Sequence, residues 1–286
     1  MKVGKEEIGI MQGFDWGSAL AAGPAPAPKT LTEETLARLR RDIVSGEFGA
    51  GRKVKSDDLK KRYGVGTSPI REALFQLVSE GLVRSDGQRG FRVAELRPEE
   101  LVDVADWRAR LECEALRRAV RNGDMDWEAG AVAAFHRLKH VETRNDIEPG
   151  QAADLWEDLH RAFHFALYSA CGSPWLLRFC GLLIQHGERY RRAYIAYPRI
   201  SSAITAEHGA IMDAATSRNA DLAADLLERH IRHAAELAQV HATGQAPASP
   251  AGRGAETGRQ GGGQAAGTGT TKGKAGERLT KGFRNS

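Results

Sequence analysis

Between residues 31 and 243 apolar side chains recur at every third or fourth position, and the pattern gives way to short strand-like runs only at residues 82–93. A chain patterned this way has to bury its apolar surface helix against helix, because a helical stripe cannot serve as one face of a sheet. The expected fold class is therefore mainly α. A small N-terminal unit of three helices and a strand pair precedes an all-helical bundle of six to seven helices.

The N-terminal unit reads as follows. Thr32, Thr35, Glu33 and Glu34 open a helix carrying Leu36, Leu39 and Ile43, which stops at Ser45-Gly46. Phe48-Gly49-Ala50-Gly51 is a turn, and Ser56 caps a short helix that carries Leu59 and ends near Tyr63-Gly64. A third helix starts between Thr67 and Pro69, a proline being tolerated in the first turn. It places Ile70, Ala73, Leu74, Leu77 and Val78 on one face and ends at Gly81. Leu82-Val83-Arg84 and Gly90-Phe91-Arg92-Val93, around Asp86-Gly87, are two strands about a turn.

Beyond Arg97 the expected helices cover 98–121, 126–144, 151–171, 174–197, 202–216 and 220–242. Breaks fall at Asn122-Gly123, Glu148-Pro149-Gly150, Gly172-Ser173-Pro174, Pro198 and Arg218-Asn219, where Ser173 and Asn219 suit the N-cap position. The domains follow: 1–28 disordered, 29–96 the small N-terminal unit, 97–243 the bundle, and 244–286 a disordered basic tail. That tail has 12 glycines in 43 residues and few large apolar side chains, too few to offset its ordering entropy.

Charge divides along the same lines. Residues 31–96 hold 13 Lys and Arg against 10 Asp and Glu, residues 97–243 hold 18 against 22, and residues 244–286 hold seven against two. A polyanion would meet the N-terminal unit and not the bundle. No stretch approaches the roughly 18 apolar residues of a membrane span, so no membrane partner is expected, and Met1 to Pro28 lacks the order of an export signal. Cys113, Cys171 and Cys180 are odd in number and lack metal-type spacing, which suits buried reduced thiols. The expected location is the cytoplasm, in association with the nucleoid.

Two short helices joined by Tyr63-Gly64-Val65-Gly66 and followed by a strand pair have the layout of a winged helix-turn-helix, whose second helix enters the major groove of double-stranded DNA. With Ile70, Ala73, Leu74 and Leu77 inward, Thr67, Ser68 and Arg71 face outward near that helix's start. Arg71 has the fork that matches guanine O6 and N7, although a solvated arginine or an ion pair one turn away is an equal reading. Phe75 lies near the same face and is expected to pack beneath the wing. The run "DDLKKRYGVGTSPIREALFQLVSEGLV" with "GQRGFRV" resembles the N-terminal signature of the GntR family of bacterial regulators, over about residues 33–93. The resemblance implies that Thr67, Ser68 and Arg71 contact DNA from the recognition helix and that Arg89 and Gly90 enter the groove from the wing. It also implies a homodimer on a short palindromic operator with GT and AC half-site cores. The sequence departs from many relatives at Thr67 and near Asp57, where they carry basic residues.

In the bundle, His160 and His164 are four apart and share a helical face, with Glu157 on the same stripe. His208 and His230 sit on two later helices among Ile211-Met212 and Leu226-Leu227-Ile231. Converging imidazoles build an N/O site for a divalent transition ion such as zinc or nickel, whereas a lone histidine is more often a satisfied core residue. His136, His140, His186, His233 and His241 are given that second reading. Residues 98–241 resemble the effector domain of the FadR subgroup, in which some members hold a metal through an Asp and three histidines. Phe163-His164-x-x-Leu167, Glu207-His208 and Glu228-x-His230 match the three histidines, and His160 stands at the Asp position. The fourth ligand is thus His160 or Glu157.

The same resemblance places Arg108 in the effector cavity, where its fork would hold a small carboxylate; a domain-linking salt bridge is the alternative. The stretches "HRAFH", "CGSPWLL" and "ERYR" are similar to subgroup members answering to a short dicarboxylate such as glutarate. The resulting expectation is a repressor of a catabolic operon, released by that carboxylate, and not an enzyme. A helical metalloenzyme with Glu157 or Glu207 as base and a non-specific chromosome organiser are the rivals.

Overall fold

The computed structural model describes residues 30–143, 149–195 and 202–243. The expectations for 1–28 and 244–286 lie outside the described residues, as do the breaks at Glu148 and Pro198. The N-terminal unit is α1 (Leu31–Val44), β1 (Lys53–Val54), α2 (Ser56–Tyr63), α3 (Thr67–Ser79), β2 (Val83–Ser85) and β3 (Phe91–Val93). The bundle is α4 (Pro98–Asn122), α5 (Met125–Glu142), α6 (Pro149–Tyr168), α7 (Pro174–Tyr194), α8 (Ser202–Thr216) and α9 (Ala220–Thr243).

Local chemistry sets the helix ends. Thr30, not Thr32, caps α1: its hydroxyl accepts from the Glu33 amide at 3.1 Å while the Glu33 carboxylate accepts from the Thr30 amide at 3.2 Å. Lys55 is the cap residue of α2 and provides no side-chain bond, so Ser56 is its first helical residue and not its cap. Ser173 and Asn219 do cap α7 and α9, through Leu176 and Leu222 amides. Asp124 caps α5 through the Trp127 amide at 2.9 Å, a signal hidden beside the Asn122-Gly123 break. Helices expected to reach 144, 171 and 197 end at 142, 168 and 194. Residues 169–171 contain no breaker, and α6 stops before the turn that Gly172 makes at φ +71°.

The sheet has three strands in the order β1-β3-β2, all antiparallel. β1 is the addition to the expected pair. Two residues are too few to display a period, and Lys53 and Val54 become a strand only by pairing with Arg92 and Phe91. Between β2 and β3 the wing tip closes through a single 3₁₀ turn, Gly87–Arg89, and Gly90 at φ +95° and ψ −142°. That backbone region is open essentially to glycine alone.

Leu39, Ile70, Leu74, Leu77 and Leu82 form the fully buried centre of the N-terminal core. Leu116, Leu138, Phe163, Tyr168 and Leu227 do so in the bundle. Each such side chain contributes about 1.5–3 kcal/mol by leaving water. α7 joins the two parts. Nε2 of His186 lies 2.9 Å from the Glu80 carbonyl oxygen at the end of α3, and Arg189 donates to the Ala94 carbonyl at 2.6 Å. Among the described residues no helix is long and apolar enough to cross a membrane.

Candidate DNA-binding face and metal centre

Helix α3 buries Ile70, Ala73, Leu74 and Leu77, and this fixes which side chains face out at its start. Thr67, Ser68 and Arg71 are exposed there, as the pattern predicts. The Ser68 hydroxyl donates to Glu72 at 2.8 Å, and Glu72 also accepts from Thr32 at 3.2 Å, tying α3 to the start of α1. The Arg71 guanidinium lies 6.0 Å from the Phe75 ring centroid and pairs with no carboxylate among the described residues. Phe75 meets Phe91 of β3 edge to face at 5.4 Å, so it does pack beneath the wing. Arg89 is exposed at the wing tip beside Gly90. This unit therefore exposes two hydroxyls and an arginine at the start of α3 and an arginine at the wing tip, with Phe75 half-exposed against Phe91.

The second site lies inside the bundle. His160 and His164 from α6, His208 from α8 and His230 from α9 are all buried and offer ligand atoms within 4.8 Å of one another. The nearest approach is 3.0 Å, between Nε2 of His164 and Nε2 of His160. Burial drives the pKa values of His160 and His164 well below the free value, and neighbouring imidazoles add to this. Burial also takes His230 down, to about 4, against the hydrogen bond of Glu207. At neutral pH these three are uncharged imidazoles with lone pairs to give.

Their outer nitrogens are held by groups that sequence reading did not connect to them. Nδ1 of His164 lies 2.9 Å from the Tyr168 hydroxyl, which itself donates to Glu112 at 2.7 Å. Nδ1 of His208 lies 3.0 Å from Glu142, which also accepts from the Trp156 indole at 3.1 Å. Nδ1 of His230 lies 2.8 Å from Glu207, whose other oxygen takes His233. Each acceptor keeps the proton on Nδ1 and leaves the Nε2 lone pair for an ion. Among the described residues, three buried atoms at the cluster and its anchors lack any partner: Nε2 of His208, Nδ1 of His160 and one oxygen of Glu142. An orphaned buried group of this kind costs about 1–3 kcal/mol, and at Nε2 of His208, the inward nitrogen, an ion would relieve it. The residues fit a divalent cation.

Glu157 is placed differently. Both its oxygens meet Arg191, at 3.1 and 2.8 Å, and it is not part of the four-residue cluster. Glu207 is likewise engaged, so neither of the carboxylates considered as a catalytic base stands ready beside the cluster. Arg108 is buried and forks onto Glu112, one turn along its own helix, at 2.7 and 3.4 Å. Among the described residues it makes no domain-linking salt bridge; the two parts meet instead through His186 and Arg189 at backbone carbonyls. The pocket lined by Arg108, Gly187, Arg191 and Ile231 has a volume of about 10 Å³, the room of one water. Arg108, Glu112, Tyr168 and His164 thus form one continuous buried chain from the pocket to the imidazoles.

Comparison with known proteins gives consistent results. Residues 31–93 match the bacterial regulatory proteins of the gntR family, and residues 103–233 match the FCD domain. The chain is 42% identical over 212 residues to an uncharacterized HTH-type transcriptional regulator, BphR, of Paraburkholderia xenovorans, covering 73% of this chain and 86% of that protein. It is 34% identical over 197 residues to the HTH-type transcriptional repressor GlaR of Escherichia coli, covering 68% and 89%. Among solved structures, E. coli McbR/YncC has the same fold, with a TM-score of 0.62 at 20% identity over 72% of this chain and 95% of that one.

Proposed function

Because this chain belongs to the gntR family of bacterial regulatory proteins, and carries an FCD domain behind its DNA-binding unit, we propose that it is a homodimeric repressor of a catabolic operon, bound to a short palindromic operator and released by a small carboxylate. The chain is a transcriptional regulator and not an enzyme. The observation that carries the reading is the exposure of Thr67, Ser68 and Arg71 at the start of α3, over a buried apolar face that dictates their direction. Arg71 reads a base, guanine being the match for its fork, while the two hydroxyls and the wing residues Arg89 and Gly90 hold the backbone. The repressing sense follows the E. coli relatives GlaR and RspR, both described as repressors. Such a regulator acts in the cytoplasm, on the nucleoid.

The helical domain, of the metal-binding FadR type, is the sensor. His160, His164, His208 and His230 would hold one divalent transition ion, zinc or nickel before magnesium or calcium given four imidazoles. When bound, the ion supplies a positive charge and an acceptor of oxygen donors. Arg108 supplies a fork for a carboxylate, and Glu112 shows the kind of group it accepts. A short dicarboxylate such as glutarate suits the pair. It does not fit a 10 Å³ pocket, so its binding requires Arg108 or its neighbours to move. That difference between free and bound states is what a ligand needs to shift a population.

Electrophoretic retardation of the chain's own upstream DNA against random DNA, with and without glutarate, tests this. Selective binding that the acid weakens is expected. Equal retention of both DNAs would refute sequence reading by this domain.

A further inference from the structure

Three of the four imidazoles are anchored at their outer nitrogen, and one is not. Tyr168 hydrogen-bonds His164, Glu142 holds His208 and Glu207 holds His230, at 2.8–3.0 Å. Each anchor fixes the tautomer, raises the basicity of the inward nitrogen and stops ring rotation. His160 has no such acceptor: its Nδ1 is buried without a partner. Its ring lies flat on Trp156, with centroids 4.3 Å apart and planes 20° apart. Stacking holds the plane of the ring, and inward its Nε2 lies 3.0 Å from Nε2 of His164, but no outer group holds the ring as Tyr168, Glu142 and Glu207 hold the others.

We propose that His164, His208 and His230 are the permanent tripod of the divalent-ion site and that His160 is its exchangeable arm, the position that yields to an incoming carboxylate oxygen. The inference rests on the metal reading above and adds a rank order to it. Removing a tripod member takes away a ligand and also strands its anchor; loss of His208 would leave the fully buried Glu142 without its imidazole donor. Removing His160 strands no outer anchor and costs the contact of its Nε2 with Nε2 of His164 at 3.0 Å. It even deletes an unsatisfied buried nitrogen. A change outside the ligand set should therefore matter more than the loss of one ligand.

Cobalt(II) titration of the full-length protein against a competing chelator reads this directly, with the visible bands of the bound ion reporting its donors. His160→Gln should bind within about tenfold of wild type, and His208→Gln should lose about a hundredfold or more. Glu142→Gln keeps all four imidazoles yet should lose about 10–100-fold, the range typical of outer anchors. Acetate added to the wild-type complex should move its bands toward those of His160→Gln. If His160→Gln loses as much as His208→Gln, or if acetate leaves the bands unmoved, the exchangeable arm is refuted while the metal site stands. A wild-type chain that takes up no cobalt overturns the metal reading and the inference together. Should His208→Gln fail to fold, the comparison of His160→Gln with Glu142→Gln decides the matter alone.

Discussion

Arg71 owes its freedom to its neighbours at positions 70, 73, 74 and 77. Those four are buried, and the arginine between them points to solvent with only the Phe75 ring nearby. Replacing it by Ala should leave the melting temperature unchanged and remove about 1–3 kcal/mol of discrimination between operator and random DNA, measured by competition binding. The buried histidines obey the opposite logic. The folded pKa values of His160, His164 and His230 lie below the unfolded value of about 6.5, so between these limits the unfolded chain binds more protons. Stability is then full above pH 6.5 and falls as the pH drops toward 4. Chelator-treated protein should melt several degrees lower at pH 5 than at pH 7; an apo protein equally stable at both would show that the imidazoles are not buried neutral. Protons and metal compete for the same lone pairs, so acid would release an ion.

α7 is the element with contacts on both sides. His186 and Arg189 face the end of α3 and the exit of β3, while Gly187 and Arg191 face the bundle interior. Gly187 is required by close approach: a Cβ there would lie 2.8 Å from Nη1 of Arg108. Gly187→Ala would press on a guanidinium already held by Glu112. The helix gains about 1 kcal/mol from alanine, so the expected melting temperature is close to wild type. The carboxylate response, followed as glutarate-dependent release of operator DNA, should be blunted. A melting temperature lowered by ten degrees or more would mean that Arg108 has nowhere to go. α6 matters for a different reason. Its four-residue spacing sets His160 and His164 on one face, but Glu157, on the same stripe, is drawn to Arg191 of α7 instead.

For the whole molecule, the cluster draws on α6, α8 and α9 directly and on α4 and α5 through Glu112 and Glu142. An ion there would cross-link most of the bundle, and binding free energy would appear as folding stability. At a free concentration a hundred times the dissociation constant the gain is about 2.7 kcal/mol, roughly 5–10 °C for a chain of this size. Thermal melts with zinc or nickel against chelator should show that shift, and magnesium should not reproduce it. Coincident curves with and without zinc would indicate histidines that line a pocket and bind nothing.

What the sequence determined by itself is whatever local spacing encodes. The helices, the wing turn, the outward face of α3 and the shared face of His160 and His164 are all settled within a few residues of one another. Partnerships across the chain are not. Glu142 and His208 are 66 positions apart, Glu112 and Tyr168 56, and nothing in either segment names the other. The same holds for β1, two residues whose only strand character is their pairing with β3. Spacing left Glu157 as an alternative to His160, and Arg108 could have faced a ligand or another domain. Packing assigned Glu157 to Arg191 and Arg108 to Glu112, because a buried charge must find its counter-charge wherever the fold brings one within reach, and it left His160 among the imidazoles.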